Sequence, residues 1–127
     1  MRLLLDTHVL LWALADESAL SERARRAVAE EAERILVSAA SVWEASIKQA
    51  IGRLAISGDF VDAIARAGFD ELPVSFRHAT AVAQLPLHHR DPFDRMLVAQ
   101  ARVEGLAIAT ADPVLANYDV EVFDVTR

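Results

Sequence analysis

Leu3-Leu4-Leu5-Asp6 is a short apolar run stopped by an acid. Three leucines in a row, with no polar residue between them, suit a strand buried on both faces. Ile35-Leu36-Val37 and the segment from Leu106 to Ala109 have the same form. Leu72-Pro73-Val74 reads as a shorter strand, with the proline favouring a sheet edge, and Val120 to Val125 reads as a fifth. Helical stretches separate these runs. A short helix is predicted from Val9 to Leu14, and one capped by Ser21 runs to about Glu33. Ala40 to Ile51 is helical and stopped by Gly52, and Phe60 to Ala67 is closed by Gly68. Arg77 to Gln84 is also helical. After a Pro- and His-rich loop from Leu85 to Arg90, Asp91-Pro92 opens a helix that reaches Glu104 and ends at Gly105. Asp112-Pro113 opens a last short helix. Apolar strands that alternate with helices, and lack a period of two within themselves, define an α/β chain whose parallel sheet is covered on both faces.

The chain has 127 residues, of which 54% are hydrophobic. That fits one domain, residues 1–127, with a real core, and no linker-like stretch, internal repeat or low-complexity segment divides it. The net charge is -6. An acidic surface argues against a role in coating nucleic acid. It does not exclude an enzyme that meets phosphate through bound cations, which supply the missing positive charge. The chain contains no cysteine, so disulfides, thiolate zinc sites and cysteine nucleophiles are excluded. No apolar run is long enough to span a membrane, and Met1 to Asp6 does not read as a signal peptide. The expected setting is the cytoplasm, with no membrane partner.

In open parallel sheets, ligands bind beyond the carboxyl ends of the strands. Asp6 immediately follows the first strand, and Asp112 follows the fourth by two residues. Glu44 lies on the helix after the second strand, and Asp94 in the first turn of the helix that leads into the fourth. Each acid also has a plain structural reading. Asp6 and Asp112 suit helix caps, the latter ahead of a proline. Asp91 caps its helix and Asp94 complements the helix dipole. Ser41-Val42-Trp43-Glu44 matches a capping box.

Two placements favour a shared role. If the helix starts nearer Ser38, Glu44 falls on a stripe with Ala40, Ile47 and Ile51 that is expected to face the core. Asp94 shares a stripe with Leu97, Val98 and Ala101. A carboxylate on an apolar stripe is costly unless it is paired or bound to a cation. The nearest basic residue, Lys48, is one turn from Glu44 and can equally lie in solvent. Clustered acids at a strand rim suit a hard cation with oxygen ligands.

The neighbouring residues are less decisive. Thr7 and Thr110 adjoin two of the acids and can orient a ligand or water, or simply cap backbone. His88 and His89 precede Asp91. A His-His-x-Asp cluster can bind zinc or act as an acid–base pair, but a polar loop is the favoured reading. His8 and His78 are isolated and take no role. Arg90 and Arg95 flank the acids and are candidates for phosphate binding, with solvent exposure the alternative for Arg95. Lys48 is the only lysine among 13 basic residues, a weak hint of phosphate recognition. Trp12 and Trp43 are expected in core or interface packing.

Four segments together resemble PIN-domain proteins, specifically the VapC-type toxins. They are Leu3-Leu4-Leu5-Asp6-Thr7-His8-Val9-Leu10-Leu11-Trp12; Ser38-Ala39-Ala40-Ser41-Val42-Trp43-Glu44, with Ile47-Lys48 after it; His89-Arg90-Asp91-Pro92-Phe93-Asp94-Arg95 leading into Leu97-Val98-Ala99-Gln100-Ala101; and Ala109-Thr110-Ala111-Asp112. They occur in the family's order and span nearly the whole chain.

The resemblance implies a three-layer α/β/α sandwich around a parallel sheet of about five strands. It also implies an endoribonuclease that depends on Mg²⁺ or Mn²⁺. The family's acids carry over to Asp6, Glu44, Asp94 and Asp112, as metal ligands and catalytic residues. Thr7, Thr110, Asp91 and Arg95 take supporting places. A cognate antitoxin protein, an RNA substrate and a homodimer are the implied partners. The implied chemistry is phosphodiester hydrolysis assisted by one or two cations, a pair lying roughly 3.5–4 Å apart.

Three other readings compete. A haloacid-dehalogenase-type phosphatase also has an acid ending strand one, but it wants a second aspartate where this chain has His8. A receiver domain needs an acidic pair near the N-terminus and an aspartate after a middle strand, which are not found. A PIN-like scaffold that only binds should lack one of the four acids, and none is missing.

Overall fold

Leu3, Leu4 and Leu5 lie fully buried in the middle strand of a five-stranded sheet. The computed structural model describes residues 1–56 and 58–127. Its strands are β1 (Arg2–Leu5), β2 (Arg34–Ser38), β3 (Asp70–Leu72), β4 (Ala107–Thr110) and β5 (Val122–Asp124). Every pairing is parallel, and the order across the sheet is β3-β2-β1-β4-β5. The helices are α1 (Thr7–Ala15), α2 (Glu22–Arg26), α3 (Ala39–Ala50), α4 (Phe60–Arg66), α5 (Phe76–Ala81) and α6 (Pro92–Glu104). A π turn over Ala27–Glu31 extends α2. Short 3-10 turns cover Glu17–Ala19, Val82–Gln84 and Pro113–Asn117.

The triple leucine divides between two cores. Leu3 and Leu5 pack with Val9, Leu10, Ala24, Ile64 and Val125 on one face of the sheet. Leu4 packs with Leu97, Val98, Ile108 and Leu115 on the other. Successive side chains of a strand point to opposite faces, so a strand covered on both sides must be apolar at every position. Each fully buried leucine contributes about 1.5–3 kcal/mol. The result is a three-layer α/β/α sandwich, as expected.

Local signals set most boundaries. Ser21 caps α2 by accepting from the Ala24 N–H at 3.0 Å. Gly105 ends α6 in the left-handed region, at φ 68°, where a residue without a Cβ is at ease. Two expectations shift. β3 ends at Leu72, before Pro73, because proline has no N–H to give to the ladder. The capping box at Ser41–Glu44 does not form. Ser38 caps α3 instead, accepting from the Ala40 N–H at 3.0 Å, so Ser41 and Glu44 both lie inside the helix. Glu44 is buried there, but Ile47 and Ile51 are exposed. The core-facing stripe therefore stops at Ala45.

The chain leaves β1 towards β2 and leaves β4 towards β5, in opposite directions across the sheet. β1 and β4 are hydrogen-bonded neighbours, with Leu3 beside Ala107 and Leu5 beside Ala109. Their carboxyl ends flank the switch point, where an open α/β sheet has its natural crevice. Among the described residues, no helix is long and apolar enough to cross a membrane.

Candidate metal centre

Asp6 is the first residue beyond β1, and its two oxygens have separate tasks. Oδ1 accepts from the Val9 N–H at 2.8 Å and caps α1. Oδ2 accepts from the Thr110 hydroxyl at the end of β4. Asp112 divides in the same way. Its Oδ1 accepts from the Val114 N–H at 2.9 Å, capping the following 3-10 turn. Its Oδ2 turns towards His89. Capping and site-building are therefore not rival explanations for these acids. The cap fixes one oxygen, and with it the direction of the other.

Glu44 enters from α3. Its Oε1 accepts from the Thr7 hydroxyl at 2.7 Å, and Thr7 also lies 3.2 Å from the Ser41 hydroxyl. Its Oε2 pairs with Lys48 at 2.9 Å. Lys48 does not lie free in solvent. It compensates the charge of the buried Glu44 through a 2.9 Å ion pair, so the case for a cation rests on the aspartates. Among the described residues, no lysine or arginine forms an ion pair with Asp6, Asp94 or Asp112.

Asp94 lies in the first turn of α6, behind the cap made by Asp91, whose Oδ1 accepts from the N–H groups of Phe93 and Asp94. Burial pushes the Asp94 carboxyl up to about 6, and the charges of Asp91, Asp6 and Glu44 add to the rise while His89 opposes it. Burial also raises Asp6, against the hydrogen bonds from Thr110 and Val9, and Asp112 pushes the same way. The acids thus feel one another across four separate elements. Desolvated like charges without adjacent arginine or lysine form an electrostatic deficit that a divalent cation removes.

His89, favoured in the sequence as a polar-loop residue, reaches into this cluster. Its Nε2 hydrogen-bonds Oδ2 of Asp112 at 3.1 Å and lies 3.1 Å from Oδ2 of Asp94. One ligand atom from each of His89, Asp94 and Asp112 fits within 4.8 Å of the others. The signal in the sequence was the His-x-Asp spacing. The missing information was the tertiary path of the loop.

Arg95 controls that path. Its guanidinium donates to the carbonyls of Pro86, His89, Val82 and Leu85 and to the Tyr118 hydroxyl, at 3.0–3.4 Å. It is neither free for phosphate nor solvent-facing. It gathers the loop from Leu85 to Arg90 against α6. The Tyr118 hydroxyl also accepts from the His89 N–H at 2.8 Å. Arg90 is exposed.

The other aromatic and histidine positions lie outside the cluster. His88 stacks edge-on against Tyr118, and His8 is exposed beside Trp12. His78 is buried, bonded to Ser75 and Glu104, far along α6 from Asp94. Trp12 packs on the core, whereas Trp43 is exposed with its ring against Phe93.

A family model for the PIN domain matches residues 3–121. The chain belongs to the PIN domain family. Its fold is similar to solved structures of VapBC2 from Rickettsia felis bound to a DNA fragment from their promoter (TM-score 0.70, 10% identity, 98% of each chain covered). It is also similar to DNA-bound VapBC from Salmonella typhimurium (0.69, 16%, 98% of each). VapBC-1 from nontypeable Haemophilus influenzae is a third such structure (0.66, 15%, 100% of each). Comparison with curated protein sequences finds no match.

Proposed function

We propose that the protein is a Mg²⁺- or Mn²⁺-dependent endoribonuclease and the toxin of a toxin–antitoxin pair. The observation that carries this reading is the convergence of Asp94 and Asp112 with His89 beside the β1–β4 switch point, with Asp6 and Glu44 near enough for their charges to raise the Asp94 carboxyl. Carboxylate donors of this kind fit a hard cation. Asp6, Asp94 and Asp112 would be the first ligands, and Glu44 would join them while sharing its charge with Lys48. The bound cation supplies charge neutralisation at a phosphodiester and activation of the attacking water. The chain's own residues set the geometry. Thr110 and the Val9 N–H hold Asp6, Thr7 holds Glu44, and Asp91 fixes the start of α6 beneath Asp94.

Membership of the PIN family supports a nuclease, and the VapBC likeness supports an antitoxin partner. A groove of about 850 Å³ beside the site suits a protein partner. It is lined by Trp43, Val74, Val82, Leu87, Phe93 and Met96, and Trp43 and Leu87 in it are exposed. We extend the reading to a homodimer acting in the cytoplasm on RNA.

The test is RNA cleavage by the wild type, Asp6→Asn and Asp94→Asn, each with and without Mg²⁺ or Mn²⁺. The wild type should cleave only with the cation, and both variants should lose nearly all activity. Equal cation-dependent cleavage by all three proteins would sink the mechanism.

A further inference from the structure

The position of His89 admits two opposite roles. An imidazole that binds a metal turns a lone pair towards it and donates its other ring N–H outward, usually to a carboxylate or carbonyl. The outward nitrogen of His89 is Nδ1, and what faces it is a donor. The backbone N–H of Asp91 points at Nδ1 from 3.1 Å. Nδ1 is therefore the lone-pair nitrogen of the neutral ring, and the proton is on Nε2. Towards Asp94 and Asp112, His89 presents an N–H and no lone pair.

That N–H is directed at the oxygens a cation would use. Nε2 is 3.1 Å from Oδ2 of each aspartate. A divalent cation held by the same two oxygens would compete with that N–H for them. Contacts from Asp91, Tyr118 and Arg95 to the ring and its backbone set His89 in this place while no cation is bound.

We infer that His89 is a built-in competitor of the cation. It is a positioning residue that holds Asp94 and Asp112 together through its Nε2–H and yields those oxygens when a divalent cation binds. The inference rests on the metal-site reading above. It makes the affinity for cation a balance between two occupants of one position.

The experiment is titration of the purified full-length chain with Mn²⁺ alone, followed by electron paramagnetic resonance of free Mn²⁺. The wild type, His89→Ala and His89→Gln are compared, with circular dichroism to establish that each is folded. Removing a hydrogen bond to a charged group should tighten Mn²⁺ binding in His89→Ala about ten-fold. His89→Gln, whose amide N–H restores a donor, should return towards the wild type. Weaker binding by His89→Ala identifies the ring as a ligand and overturns the inference, as does unchanged affinity. If the wild type itself binds no Mn²⁺, the metal site is wrong and this inference falls with it. If His89→Ala does not fold, the comparison rests on His89→Gln against His89→Phe, which has no donor. Equal affinity of that pair overturns the inference.

Discussion

The hydroxyl of Thr110 donates to Oδ2 of Asp6, joining the carboxyl ends of β4 and β1 across 104 positions of sequence. The same oxygen of Thr110 accepts from the Asp112 N–H at 3.0 Å. One side chain therefore orients two acids of the cluster. Thr110→Val keeps the shape and removes both bonds, leaving a buried carboxylate oxygen of Asp6 without its donor. The expected loss of stability is about 1–3 kcal/mol, read from urea unfolding. Thr110→Ser, which keeps the hydroxyl, should lose much less. A valine variant as stable as the wild type would show that this bond does not hold Asp6.

Asp94 makes stability depend on pH in a defined direction. Its folded carboxyl is raised to about 6, above the ordinary 3.8. Above 6 the group is ionised in both folded and unfolded chains, and the penalty for burying its charge is fully present. As pH falls through 6 the folded chain takes up a proton that the unfolded chain does not, so stability contributed by this site rises and levels off below 3.8. Asp94→Asn has no such transition. Without divalent cation, it should be more stable than the wild type near neutrality, and its advantage should shrink as pH falls to about 4.5. Asp6 is raised as well, but it is common to both proteins and largely cancels. Urea unfolding across this range in a chelating buffer measures the difference, and a constant gap would contradict it.

Most of this architecture is legible in the chain. Leu3-Leu4-Leu5 and Ile35-Leu36-Val37 announce strands covered on both faces, and Gly105 and Ser21 mark helix ends by local chemistry alone. The candidate acids are named from the sequence too, although Asp6 and Asp112 look like simple caps until the use of their second oxygens is seen. What could not be read is side-chain direction at long range. Arg95 lies next to Asp94 in sequence and suggests a phosphate ligand, yet five oxygens from the 82–89 segment and Tyr118 draw it away. Lys48 is at the right spacing to pair with Glu44, but spacing does not say which face of α3 is turned inward. His89 depends on a loop whose path is set by that same arginine, so periodicity carries no trace of it.

The Arg95 clamp has its own consequence. Arg95→Lys keeps the charge but loses the planar fork that reaches several carbonyls at once. The loop from Leu85 to Arg90 should then open to proteolysis while the sheet stays folded. Limited digestion, with cleavage mapped by mass spectrometry, should show new cuts in that loop. Tyr118→Phe removes the acceptor for the His89 N–H and should lower stability by about 1 kcal/mol. A loop as resistant as the wild type in Arg95→Lys would mean that other contacts hold it.

Gly105 offers a control remote from the acids. An added Cβ there meets only Arg2 Nη2, at 3.7 Å, an ordinary contact. The effect of Gly105→Ala should come from the backbone alone, at φ 68°, and amount to about 1 kcal/mol of stability. Cation affinity should be unchanged. Altered Mn²⁺ binding in this variant would mean that the α6–β4 junction is coupled to the site.

The order of the strands also has a meaning in time. β1 precedes the other strands, but the neighbour that completes the switch point, β4, comes only after β2, β3 and all six helices have been made. A ribosome-bound chain can carry Asp6 and Glu44 before Thr110 and Asp112 have arrived. Pairing of such distant segments is slow and belongs to the late stages of folding. The β1–β4 junction is therefore assembled only after Thr110 and Asp112 are in place, so a product truncated before them lacks the Thr110 bond to Asp6 and one of the candidate acids.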